Sequence, residues 1–95
     1  MEDEIRGSIE NTIDTFSSPE QVEIAINFIR NYTPVITNER DAVFGFILGV
    51  LSMAFSSFFT ELKGKSPSGQ DFVQLMEILE RRSSEILEAI ERGLM

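Results

Sequence analysis

From Ala42 to Phe59 the chain reads AVFGFILGVLSMAFSSFF, without one charged side chain. No other feature limits the possible folds so sharply. A membrane-spanning helix needs ~20 predominantly apolar residues, and this run reaches the lower limit. The other destination for such a run is the centre of a soluble helical protein.

At helical spacing the run separates into two seams. Ala42, Gly45, Gly49, Ser52 and Ser56 recur at steps of three and four and form a seam of small residues. Phe44, Leu48, Leu51, Phe55, Phe58 and Leu62 form a seam of large ones, with Val43, Phe46, Ile47, Val50, Met53 and Ala54 between them. Small residues let a second backbone approach closely, as GxxxG does in membrane dimers. Each glycine inside a helix costs about 1 kcal/mol against alanine, so close packing is the expected compensation.

The rest of the chain favours the soluble reading. Three further segments carry apolar stripes of helical period. Residues 2–16 place Ile5, Ile9, Ile13 and Phe16 on one face. Residues 19–31 do the same with Val22, Ala25, Ile26 and Ile29, widened by Ile24 and Phe28. Residues 69–92 carry Phe72, Leu75, Met76, Leu79, Ser83, Ile86, Leu87 and Ile90. Each stripe needs an apolar surface to cover, and the helix of residues 39–62 is the one element rich enough to supply it. Were that helix placed in lipid, three stripes would lose their partner, and an acidic N-terminal segment would have to be translocated. Lys63 and Lys65 beyond its end are what a span would show on its cytoplasmic side, so a single transmembrane helix over 42–59 is the alternative reading.

Local signals set the boundaries. Ser18, Pro19 and Gln21 are an N-cap, a first-turn proline and a capping-box glutamine. Pro34 ends the second helix, and Val35 and Ile36 are apolar enough to tuck onto the core. Thr37 or Asn38 caps the third helix, and Ser68 with Asp71 begins the fourth. Gly7 weakens the first helix, which therefore depends on tertiary contacts. Strand alternation is found nowhere. The expected fold is all-α: one four-helix, bundle-like domain over residues 1–95. Two short helices and one long one cover about two-thirds of the apolar helix, on the geometry of packed cylinders. A homodimer completing the remainder through the small seam is the expectation.

The chemistry is sparse. There are no cysteines and no histidines, which removes disulfides, thiolates and the commonest general base. Glu77, Glu80, Glu85, Glu88 and Glu91 read as a solvated face, because carboxylate metal sites on helices also use histidine. Ser17, Ser18, Ser83 and Ser84 have no activating base. No enzymatic activity, cofactor or metal is expected. Eight phenylalanines, five of them in the third helix, read as core before they read as an apolar ligand pocket. Sixteen acids against eight bases give a net charge of −8, and the bases are scattered. Nucleic acid is an unsuitable partner, while a protein with a basic surface would suit the acidity. Arg81 and Arg82 are expected to pair along their own helix, as are Glu77–Arg81 and Glu88–Arg92. The acidic opening MEDE lacks the basic start of a secretory leader, and the sequon at Asn31–Thr33 is read as chance. The expectation is a cytoplasmic homodimeric adaptor or regulatory subunit acting by protein–protein contact.

Overall fold

The computed structural model describes residues 2–31 and 36–95. Within them lie four helices and no strand: α1 Asp3–Phe16, α2 Pro19–Arg30, α3 Glu39–Lys63 and α4 Gly69–Leu94. Pro34 and Val35 fall outside the described residues, as does most of the sequon. Ile36 packs against the core from the loop.

The helix starts follow from their caps. Ser18 accepts a hydrogen bond from the Gln21 amide, and Asn38 Oδ1 accepts one from the Asp41 amide at 3.0 Å. Asn38, not Thr37, is therefore the α3 cap. Ser68 and Asp71 form a reciprocal capping box, with Ser68 N donating to Asp71 Oδ2 at 2.8 Å and Asp71 N donating to Ser68 Oγ at 3.2 Å. At the other end of α3, Gly64 adopts the left-handed conformation at φ 71°, where a side chain would be strained, and so closes the helix.

The two long helices, α3 and α4, run antiparallel. Phe55 meets Phe72 with ring centroids 5.5 Å apart, and Arg40 bridges to Glu91 at 3.0 Å. The short helices follow one another along this pair. The C-terminal half of α3 is covered by α1, where Ile9 and Ile13 face Leu51 and Phe55 and Glu2 pairs with Lys63. On the N-terminal half lies α2, where Phe28 stacks on Phe46 at 4.8 Å and Arg30 pairs with Glu39. The molecule measures 40 × 23 × 20 Å, the long dimension matching helices of about 26 residues at 1.5 Å each.

The buried row of α3 is Val43, Ile47, Leu51, Phe55 and Phe59, at uniform steps of four. It departs from the expected large seam: Leu51 and Phe55 belong to both, but Phe44, Leu48 and Phe58 are half-buried flanks and Leu62 is exposed. Four residues turn a helix by about 400°, so such a row winds by roughly 40° at each step. Straight seams of mixed three and four serve one partner. A winding row serves partners at different azimuths, here α4 along its length, with α2 on the first half and α1 on the second. The same geometry corrects three other assignments. Ile24 and Phe28 do not widen the α2 stripe into the core but lie exposed, and Met76 of α4 faces outward at 65% exposure. Ile78 and Ala89 join the α4 core instead.

Two interhelical contacts were not legible as such. Arg81 and Arg82 do not chiefly pair along α4. Arg81 reaches Glu10 at 3.1 Å, and Arg82 binds Glu10 at 3.3 Å and Asp14 at 2.5 Å, besides Glu85 on its own helix at 2.8 Å. These arginines tie α1 to α4. The hydrogen bond to Glu85, then that to Asp14, raises the Arg82 pKa above its ordinary value, and the same Arg82 bond holds the Glu85 carboxyl below its own. The second contact is Gly93, where a Cβ would come within 2.9 Å of Ile26 Cδ1 and 3.0 Å of Val22 Cγ1. The missing side chain at Gly93 is what leaves room for the Ile26 and Val22 side chains of α2.

Candidate interaction surface

Directly opposite the core row, α3 carries a second row at steps of four: Asp41, Gly45, Gly49, Met53 and Ser57, all exposed. Nothing lies within 4 Å of where a Cβ would stand on Gly45 or Gly49. Met53 is 73% exposed. The proposed seam is therefore divided. Gly45 and Gly49 lie on this outward face, while Ala42, Ser52 and Ser56 are half-buried beside it. The Ser52 hydroxyl is occupied locally, donating to the Leu48 carbonyl at 2.9 Å. Asp41, Met53 and Ser57 were not included in the seam; the recurrence of exposed residues every four positions, parallel to the core row, is the signal that finds them.

The apolar surface continues to both sides. Towards α4 it opens into a groove of about 270 Å³ lined by Phe44, Leu48, Met76, Leu79, Glu80 and Ser83. Towards α2 it continues through half-buried Phe46 to Ile24 and Phe28. The most apolar 18-residue window of α3 has a mean hydropathy of 2.0, yet only 28% of it is buried in the chain. Scattered apolar side chains are ordinary on a protein surface, and it is large contiguous exposed apolar patches that mark contact sites.

The phenylalanine cluster is packed. Phe55 meets Phe58, Phe59 and Phe72 at 5.8, 5.6 and 5.5 Å, in edge-on or tilted geometry. The gap between Leu51, Phe55, Leu75 and Leu79 has no room for a water molecule. A wider depression of about 640 Å³ lies at the end of the pair, among Glu2, Ile5, Phe59, Lys63, Lys65, Asp71 and Gln74. Its two bases and two acids cancel. Asp71 is held below its ordinary pKa by the Ser68 backbone, and then side-chain, hydrogen bonds. Among the described residues no group of three or more carboxylates is arranged to hold a metal ion. No family model matches the chain, and no curated protein or solved structure shows a significant match to it.

Proposed function

We propose that this protein is a small helical contact module, a homodimeric adaptor or regulatory subunit without catalysis, whose self-association uses the outward face of α3. One observation carries this reading: the uncharged apolar helix from Ala42 to Phe59 is covered only in part by its own chain, which leaves Gly45, Gly49, Met53 and Ser57 exposed and the residues beside them half-buried. Burial of apolar surface drives association, and a two-fold dimer is the commonest closed way to achieve it. The face has no base or nucleophile in a cleft, so it offers contact and not chemistry. The remaining surface is acidic and suits a basic protein partner in the cytoplasm.

Light scattering coupled to size exclusion tests this. The expected result is a dimer at micromolar concentration, dissociated by Gly49→Leu because leucine blocks backbone approach. A monomer at that concentration, or a dimer indifferent to the substitution, overturns it.

A second reading has its own observation. The length and mean hydropathy of 2.0 of α3 also satisfy a membrane span. Against this, α1, α2 and α4 all bury their apolar stripes on α3 and would expose them on insertion. Solubility of the purified protein without detergent separates the two.

A further inference from the structure

We propose that α1 is a strap: it swings out as one unit about Ser17 while α2, α3 and α4 stay packed, and charged contacts to α4 hold it closed. Opening bares an apolar floor on the two long helices, where Leu51, Phe55, Leu75 and Leu79 lie against Ile9 and Ile13 of α1. The floor is on the core side of α3, away from Gly45 and Gly49, so the strap works whether or not two copies pair.

The two short helices are attached differently. Both long helices carry α2, whereas α1 lies chiefly on α3. Three apolar side chains are buried over the fourteen residues of α1, and four over the twelve of α2, so α1 orders more chain for less burial. It is also the weaker helix by itself. Its Glu2 cap makes no side-chain bond, Gly7 interrupts it, and its last turn has no base but contains Asp14, against the helix dipole. Arg82 of α4 supplies the missing cation. It donates to the Asp14 carboxylate at 2.5 Å and to the Glu10 carboxylate and carbonyl, each at 3.3 Å. Arg81 holds Glu10 as well, at 3.1 Å, and Lys63 of α3 holds Glu2. Much of what fixes α1 is therefore charge on the surface, which salt weakens, whereas salt leaves apolar packing intact.

Ser17 is the hinge. It stands alone between Phe16, the last residue of α1, and Ser18, the cap of α2, with φ −94° and ψ −2°. Turning ψ of this one residue to the extended region swings α1 away without changing either helix. The start of α2 survives the swing, because the Ser18 hydroxyl accepts from the Gln21 amide within α2 itself. The bond from Ser18 Oγ to the Thr15 carbonyl, at 2.7 Å, is exposed, and water can replace it. The Ser17 hydroxyl oxygen, by contrast, is buried in the closed form without a hydrogen-bond partner. Opening hydrates it, which lowers the cost of the swing.

Residue-resolved amide exchange on the unaltered full chain, in urea too dilute to unfold it, tests the strap. The expected result is one shared opening for the amides from Ile9 to Phe16, about tenfold or more as frequent as that of the slowest α3 amides. Its urea dependence should be smaller than that of global unfolding, because less surface is bared. At about 1 M salt, where charges are screened within roughly 3 Å, this opening should quicken several-fold while the slowest α3 amides become no faster. Ser17→Ala should make it several-fold rarer, because no orphaned hydroxyl is then buried on closing. Exchange graded from Asp3 inwards is fraying of a chain end and overturns the strap, as does an α1 that exchanges only together with α3. An opening indifferent to salt overturns the charged hold. One that Ser17→Ala quickens or leaves unchanged overturns the hinge.

Discussion

Among single residues, glycine shows most clearly how one residue type serves different ends. Gly64 closes α3 because its backbone is left-handed at φ 71°. Gly93 is small because Ile26 and Val22 press on it. Gly45 and Gly49 have neither reason within the chain. A paired prediction follows from this difference. In solution dilute enough for monomers, Gly45→Ala raises unfolding stability by about 1 kcal/mol, the ordinary helix preference for alanine. Gly93→Ala brings no such gain, because the new methyl presses on the Ile26 and Val22 side chains and offsets the helix preference. Urea titration of both variants checks the pair, and equal effects would contradict the contrast. The GxxxG spacing was legible in the sequence, but Gly93 was not. Its isolated position near a helix end carries no pattern, and only the approach of α2 makes its size matter.

At the scale of elements, the four helices and the caps of α2, α3 and α4 were legible because they depend on neighbouring residues. The Ser68–Asp71 box and the Asn38 cap are complete within a few positions. The buried faces of α1 and of most of α2 were legible for a related reason. Each is a short amphipathic helix, and one face is all it has to bury. For α3 the pattern was ambiguous, because nearly every position is apolar and periodicity cannot choose between faces. Arg82 does pair along α4, with Glu85, but Arg81 and Arg82 also attach α4 to α1. Intrahelical spacing predicts Glu77–Arg81, but tertiary packing brings Glu10 and Asp14 within reach of Arg81 and Arg82. Replacing Arg82 by methionine therefore loosens α1 in particular. The expected loss is about 1–2 kcal/mol at low salt, less at high salt. Hydrogen exchange should quicken in α1 and stay unchanged in α2. Equal quickening in both helices would mean that Arg82 supports the whole fold and not that one attachment.

For the whole molecule, the core among the described residues is wholly hydrophobic and the charges lie outside it. Stability should then depend on pH only through surface carboxylates. Asp71 and Glu85 have folded pKa values below their ordinary range, set by Ser68 and Arg82 respectively. Groups depressed in this way add stability above their unfolded pKa, which is lost as pH falls through the folded value. Thermal midpoints should accordingly fall as the pH drops below about 4. The double variant Asp71→Asn, Glu85→Gln should flatten that slope, and an unaltered slope would assign it to other groups. Glu85 is exposed and Asp71 only half-buried, so the effect is modest and screened by salt. The outward face of α3 belongs to this scale too. It exists because three helices of limited width cannot enclose a fourth that is apolar on all sides.

By itself the sequence determined that the chain is helical, where each helix begins, and that one helix holds far more apolar surface than any other. These are consequences of caps, prolines and period, which act over a few residues. Only the tertiary structure decided which side of α3 is core and which remains open. That choice depends on where α1, α2 and α4 arrive around its circumference. Because they arrive at different azimuths, the buried row winds, and the row of Gly45, Gly49 and Met53 winds with it on the opposite side.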